Sequence, residues 1–208
     1  MSFTANPVTP ILEARTSTTR YRAGMPVTND QIIELVRCAT LAPSAYNLQN
    51  WRFIAVVSDA AKARLCEAAY GQQQVKDAGV TFIVCGTTDA HKSLANALQA
   101  SVDAEIISPQ VQTSWVDAAT ASHQDNAQLQ RDEAFRSASL AAMTLMISAQ
   151  GMGLASGAMS GFDENALRQA FELSEQELPV MLVTVGHGAE NNWPQKCRLP
   201  VETVLRFA

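Results

Sequence analysis

Ala42-Pro43-Ser44-Ala45-Tyr46-Asn47-Leu48-Gln49-Asn50-Trp51-Arg52-Phe53 is the stretch on which the fold reading turns, because a polar loop runs straight into an apolar segment with strand character. Upstream, Val27-Thr28-Asn29-Asp30-Gln31 opens a helix: Thr28 can cap the free N–H groups and Gln31, three residues on, can answer back. Ile32, Ile33, Leu35, Val36 and Ala39 follow at helical spacing, and Pro43 ends the run. The loop 43–50 therefore joins a helix to a strand. Residues 51–57, 80–85 and 180–185 are short and rich in aromatic or β-branched residues, so each reads as a sheet strand, with helices over 59–70 and 163–172 between them.

With 208 residues the chain has length for one full core and little for two, so residues 1–208 read as a single domain. Hydrophobic residues make up 47% and charged ones 17%, which suits a globular protein. The net charge is −5 and no basic run of five or more occurs, which gives nucleic acid nothing to grip. No stretch of 18 apolar residues is present and no basic segment leads into an apolar one at the start, so the expectation is a cytoplasmic protein without a membrane partner. The four cysteines, Cys38, Cys66, Cys85 and Cys197, lack CxxC spacing and read as buried or half-buried free thiols. His91, His123 and His187 lie far apart in sequence, without an i, i+4 partner, and no metal site is expected.

Residues 133–150 form the longest helical pattern, with Phe135, Leu140, Met143, Leu145, Met146 and Ile147 interleaved with alanines. A helix apolar on every face must be buried on every face, and a second subunit is the simplest cover. Residues 101–131 break the surrounding pattern with Ser108-Pro109-Gln110, a lone Trp115 and a polar run from Ser122 to Gln130. After Pro194 the chain turns extended again over 201–207.

Two further stretches stand near the ends: Arg15-Thr16-Ser17, and Lys196-Cys197-Arg198. Together they supply three cations and two hydroxyls, a set suited to a phosphate monoester because guanidinium forks and hydroxyl donors match its oxygens. Arg15, Ser17 and Tyr21, then Pro43, Ser44, Asn47, Gln49 and Trp51, then Lys196, Arg198, Leu199 and Pro200 carry, in that order, a pattern that resembles the nitroreductase family of FMN-dependent NAD(P)H oxidoreductases. The resemblance runs from Arg15 to Arg198. It implies an α+β fold, with a mainly antiparallel central sheet flanked by helices, working as an intertwined homodimer that holds FMN between its subunits. It also implies a lid at 101–131, which could equally be a solvated helical excursion, and a C-terminal arm at 194–208 that embraces the partner.

By the same resemblance Arg15, Lys196 and Arg198 hold the FMN phosphate, and Ser17 and the Thr16 backbone lie near the ribityl chain. Pro43, Ser44, Asn47 and Gln49 face the flavin from the other subunit, although Pro43-Ser44 could also be a plain helix stop, and Tyr46 lines the substrate side. The segment Gly157-Ala158-Met159-Ser160-Gly161-Phe162-Asp163 resembles the family loop at the flavin edge, where Met159, Ser160 and Gly161 would sit; the same letters also satisfy an ordinary helix start. Two departures concern the flavin N1 side, where relatives place basic residues and this chain has Thr19 and Gln74. Gly71 stands where an Asn is usual, which leaves Gln72 or Gln74 to supply the polar contact, and Asn50 replaces the motif's second proline. The activity implied is two-electron, ping-pong reduction of nitroaromatics or quinones by NADH or NADPH, with the flavin as the reacting group and no protein nucleophile. The alternatives are a specialised oxidoreductase of the same fold, such as a dehydrogenase or dehalogenase, and a non-catalytic flavin-binding protein.

Overall fold

The computed structural model describes residues 6–208; residues 1–5, which the sequence reading includes in the domain, lie outside the described residues. Four strands, β1 (Trp51–Val56), β2 (Val80–Thr87), β3 (Ala155–Met159) and β4 (Glu177–Gly186), form one sheet in the order β1-β2-β4-β3, with every neighbouring pair antiparallel. Helices α1 (Thr9–Ala14), α2 (Asn29–Ala39), α3 (Asp59–Ala68), α4 (Gln74–Asp77), α5 (Leu94–Asp103), α6 (Pro109–His123), α7 (Ala127–Gly151), α8 (Glu164–Phe171) and α9 (Val201–Val204) surround it. The expected α+β architecture is the one observed.

Strand β2 shows why its sequence lacks polar alternation. Phe82 and Val84 pack with Leu35 and Ala39 of α2 and with Ala138, Ala141, Ala142, Leu145 and Ala149 of α7. Ile83 and Cys85 point the other way, into a second cluster with Leu65 and Cys66 of α3, Leu167 of α8 and Leu182 of β4. A strand covered on both faces needs no polar alternation, and from Val80 to Cys85 only Thr81 is polar; full burial of each large side chain contributes about 1.5–3 kcal/mol. The capping box at the start of α2 forms as its spacing predicts: Gln31 N donates to Thr28 Oγ1 at 3.2 Å and Thr28 N donates to Gln31 Oε1 at 2.9 Å.

Helix α7 departs from expectation in an informative way. It starts at Ala127, capped by the Asn126 side chain, six residues before the apolar run. Its alanines face the sheet so closely that a Cβ on Gly86 would come within 2.3 Å of the Ala134 carbonyl oxygen. The opposite face carries Leu140 and Met143, 47% and 37% exposed, so the chain by itself buries one face of α7 and not all of them. The small residues are there for close approach to the sheet and Leu145 and Met146 join the core, while Leu140 and Met143 are left uncovered.

Other boundaries also moved. Residues 157–159, which the resemblance places in a loop at the flavin edge, belong to strand β3: Ala-Ser-Gly-Ala-Met has little strand propensity and is a strand only through its pairing with β4. Residues 201–204, expected to be extended, form a single helical turn. The segment 101–131 is mostly helix, and α5 and α6 enclose a third cluster in which Leu94, Leu98 and Ala119 pack on Leu48, Ala45 and Tyr46 of the loop before β1. Of the four thiols, all unpaired, Cys66 and Cys85 are buried and Cys38 is half-buried, but Cys197 is exposed. No helix among the described residues is long and apolar enough to cross a membrane.

Candidate functional site

The segment after α1 runs along the open edge of β3. Thr18 N donates to the Ser156 carbonyl at 2.9 Å, and Ser17 bridges Ser156 in parallel register. This approach requires Gly157, where a Cβ would sit 2.3 Å from the Thr18 carbonyl oxygen and 3.2 Å from Thr184 Oγ1. Tyr21, 5% exposed, fixes the far end of the segment, its hydroxyl lying 2.8 Å from Thr184 Oγ1 and 3.1 Å from the Thr184 carbonyl. Burial holds the Tyr21 phenol well above its ordinary ionisation range, an effect only partly offset by the Thr184 hydrogen bond, so it stays protonated.

The chain then pairs with the residues that follow β4: Arg22 N donates to the His187 carbonyl and Ala189 N to the Arg20 carbonyl, both at 2.9 Å. Asn192 closes this small ladder. Its Oδ1 accepts from Thr19 N and Arg20 N at 3.0 Å each, and its Nδ2 donates to the Arg20 and Ala189 carbonyls at 2.8 and 2.9 Å. A cleft of about 280 Å³ lies here, lined in part by Thr16, Thr18, Ala155 and Asn192. The structure thus brings the Arg15-Thr16-Ser17 segment beside the chain that leads to Lys196 and Arg198. None of Arg15, Lys196 and Arg198 forms an ion pair among the described residues, and Ser156 Oγ is buried without a partner there. Three unneutralised cations, an exposed Ser17 and an orphaned buried hydroxyl are a donor set fit for an anionic ligand. Asn192 and Ser156 escape a reading of motifs, since one is a lone amide and the other a strand residue, and their spatial neighbours are far away in sequence.

At the opposite end of β3, Gly161 meets Gln72, whose Nε2 donates to the Gly161 carbonyl at 2.8 Å and to the Ala69 carbonyl at 3.1 Å. Gln72 and Gly161 are therefore brought together, but the Gln72 amide nitrogen is spent on holding the loop. Gln74, half-buried, is the first residue of α4. The Met159 side chain is buried in the second cluster, so only its backbone is available to a ligand, whereas Ser160 and Gly161 are exposed. The expected helix cap at Asp163 is present, its Oδ1 accepting from Ala166 N at 2.9 Å. Thr19 is exposed and its backbone is held by Asn192.

Pro43, Ser44, Asn47 and Gln49 lie elsewhere. Ser44 Oγ accepts from Gln49 N at 2.9 Å, closing a loop in which Tyr46, Asn47 and Gln49 all take positive φ, at 51°, 58° and 49°. Left-handed conformations cost non-glycine residues energy and persist where packing fixes them. Here the third cluster holds Tyr46, and the His123 ring meets it edge-on, with centroids 6.4 Å apart. His123 lies 5.9 Å from His91, both are buried, and Gln130 ties them in place by accepting from Asp89 N and donating to the His123 carbonyl. Burial, slightly offset by Asp89, lowers the His91 pKa below its ordinary value of 6.5. No group of three or more His, Cys, Asp or Glu side chains among the described residues could hold a metal ion.

The two sets of residues sit at diagonally opposite corners of the sheet. Trp51 shares a row with Gly86 and Leu178, whereas Ser156 pairs with Val185. The separation is roughly 20 Å along the strands and about 14 Å across them, from the usual strand rise and spacing. One chain cannot apply both sets to a single small ligand.

An antiparallel four-stranded sheet flanked by helices, with the Arg15–Ser17 segment along its β3 edge and a strained polar loop at the opposite corner, defines an α+β fold. The nitroreductase family model matches residues 12–187, and the chain belongs to that family. YodC of Bacillus subtilis strain 168, a candidate NAD(P)H nitroreductase by name, is 33% identical over 194 residues, covering 93% of this chain and 95% of the relative. A Thermus thermophilus protein named NADH dehydrogenase is 34% identical over 209 residues, covering 94% and 96% of the two. Among solved structures, one from Exiguobacterium sibiricum in complex with FMN superposes with a TM-score of 0.89 at 25% identity, covering both chains completely. Lys196 and Arg198 lie beyond the residues matched by the family model.

Proposed function

We propose that this protein is an FMN-dependent NAD(P)H oxidoreductase that works as a homodimer and reduces quinones or nitroaromatics by two-electron, ping-pong turnover. The observation that carries the reading is the separation of two residue sets: the Arg15–Ser17 segment with the start of the arm that bears Lys196 and Arg198 at the β3 edge, and the Ser44–Gln49 loop at the far corner. Two copies related by symmetry would complete two sites. The names of the relatives and the FMN complex of a structural neighbour support the same cofactor and donor for this chain.

FMN, when bound, supplies the chemistry of accepting a hydride from reduced nicotinamide and passing two electrons to an oxidant. Arg15, Lys196 and Arg198 bind its phosphate, aided by Ser17 and the Thr16 backbone. The β3 edge, about 13 Å from Ser156 to Ser160 at the usual strand rise, leads from that corner toward Ser160, Gly161 and Gln74, a run suited to an extended mononucleotide. Pro43, Ser44, Asn47 and Gln49 close the ring side from the second subunit and help exclude water. Residues 101–131 act as a lid fixed on the same loop through Tyr46 and Leu48. Thr19 and Gln74 leave the flavin N1 side without a fixed cation.

The uncovered apolar residues fit this assembly. Leu140 and Met143 on α7, Ile33 and Leu41 on or next to α2, and Leu199, Val201, Val204 and Phe207 in the C-terminal arm are all exposed in one chain. Such residues are unusual on a monomer and ordinary at an obligate interface. Four free thiols suit a reducing cytoplasm. The test is anaerobic mixing with NADH and NADPH separately, then with a panel of quinones and nitroaromatics, while the flavin absorbance is followed. Bleaching by a nicotinamide and recovery on adding the oxidant is expected; a flavin that neither nicotinamide bleaches would overturn the reading.

A further inference from the structure

We infer that Asn192 is a positioning residue for phosphate recognition: one side chain sets the two halves of the cation cluster relative to each other. The inference rests on the phosphate assignment above and adds a residue that the motifs do not contain. An amide side chain offers two hydrogens and two acceptor lone pairs, and Asn192 spends all four, on Thr19 N, Arg20 N, the Arg20 carbonyl and the Ala189 carbonyl. Three of those bonds reach across 172 or 173 residues of sequence. They grip the backbone immediately after Arg15-Thr16-Ser17.

Asn192 is also the last such anchor in the chain. Beyond it, the hydrogen bonds among the described residues are local: Arg198 Nη1 to the Lys196 carbonyl, Thr203 N to the Pro200 carbonyl, and Leu205 N to the Val201 carbonyl. No ion pair among the described residues ties this segment back to the body. Lys196 and Arg198 leave the latch on tethers of about 14 and 21 Å at most, from the reach of an extended chain. The point from which Lys196 and Arg198 set out is therefore fixed by Asn192, before the arm passes onto the partner in the dimer proposed above. Without the latch, the same charges must be ordered at the moment of binding, and the entropy of ordering them is lost from the affinity.

The bonding pattern makes the side chain hard to replace. Asp keeps the two acceptor contacts to Thr19 N and Arg20 N but presents oxygen to the Arg20 and Ala189 carbonyls, which then repel it. Ala loses all four contacts and leaves the ladder bond from Ala189 N to Arg20 carbonyl unassisted.

The experiment compares FMN with riboflavin, which differs only by the phosphate, in flavin-stripped full-length wild type, Asn192→Ala, Asn192→Ser, Asn192→Asp and Arg198→Ala, by fluorescence-quenching titration. If Asn192 acts through the phosphate cations, the Asn192 variants weaken FMN roughly tenfold or more, the equivalent of one charge-assisted hydrogen bond, and leave riboflavin within about twofold of wild type. Because Asn192→Asp also adds a negative charge that repels phosphate, the neutral Asn192→Ser answers the question where Asn192→Ala does not fold. Arg198→Ala separates the two levels of the argument: if it binds FMN and riboflavin as wild type does, the phosphate assignment fails and this inference falls with it. If Arg198→Ala loses FMN selectively while the Asn192 variants lose both ligands equally, or neither, Asn192 is a structural turn residue and the inference is overturned.

Discussion

The two corners of the sheet are held by opposite means. At the β3 edge the chain is fixed by backbone pairing, by Gly157 and by the Asn192 amide, with Tyr21 fastened to Thr184 beneath. At the corner before β1 the loop has one internal side-chain bond, Ser44 to Gln49, and three left-handed residues, and it keeps its shape because Tyr46 and Leu48 are pressed against α5 and α6. The first corner is rigid by hydrogen bonding and tolerates no added atom. The second is strained and depends on a satellite core that the sheet does not share. A phosphate, which needs donors at set positions, suits the first; a ring whose partners vary from one half-reaction to the next suits the second.

The largest expected effect on the stability of the chain itself attacks the rigid corner. Gly157→Ala places a methyl group 2.3 Å from the Thr18 carbonyl, a backbone atom that cannot swing aside. Overpacking of this kind costs about 1–3 kcal/mol, and the displaced segment carries Arg15 and Ser17, so thermal melting should shift down and FMN should be lost from the purified protein. A variant that melts like wild type and keeps its flavin would show that the β3 edge is softer than its geometry says.

The next concerns the faces left uncovered between the corners. Leu140→Arg puts a charge on the exposed side of α7 and should leave the fold of each chain within about 0.5 kcal/mol of wild type. At a buried subunit interface the same charge lacks a partner, and dimerisation should weaken by about thirtyfold or more, an unpaired interfacial charge costing about 2–5 kcal/mol. Sedimentation velocity together with flavin content reads both outcomes, and a dimer of undiminished strength would place the interface elsewhere. Ala142 is no substitute for this experiment, because it is fully buried in the chain's own core.

A smaller effect sharpens the contrast at Tyr21. Tyr21→Phe removes the hydroxyl from a buried contact and leaves Thr184 Oγ1 with its bond to the Gly157 carbonyl. The expected loss is about 1–2 kcal/mol by urea denaturation. No measurable loss would mean that packing rather than hydrogen bonding anchors this corner too.

The smallest effect belongs to the strained corner and is read against pH. His91 is buried neutral, so its folded-state pKa lies below the ordinary value of 6.5 that it regains on unfolding. Between those two values the unfolded chain binds the proton and the folded one does not. The contribution to stability is complete above about pH 6.5 and is lost as the pH falls through 6.5 toward the lowered value. Asp89 favours the charged form, while Lys92 and the neighbouring His123 oppose it. Urea denaturation at steps from pH 8 to 5 should show a steeper acid loss in wild type than in His91→Gln; parallel curves would exclude His91 as the source.

Much of the sheet and its helices was determined by the sequence alone, because the signals are local. Thr28 and Gln31 are three residues apart and close their capping box without help from the rest of the chain. The apolar run at 80–85 is a strand buried on both faces, and Pro43 marks the loop that leads into Trp51. The motif residues at both ends also stand out in the sequence as a basic and hydroxyl-rich set, which is why a phosphate role can be proposed for them. The tertiary structure decided what depends on distant partners. Ala155–Met159 becomes a strand only beside β4, and α7 shows which of its apolar residues are core and which are surface only when it meets Gly86. Asn192 acquires its four hydrogen bonds from residues more than 170 positions away, with one exception, and nothing near it in sequence announces them. The distance between the Arg15–Ser17 segment and the Ser44–Gln49 loop is likewise a property of strand order: chain order sets which residues exist, while β1-β2-β4-β3 pairing sets which of them lie side by side.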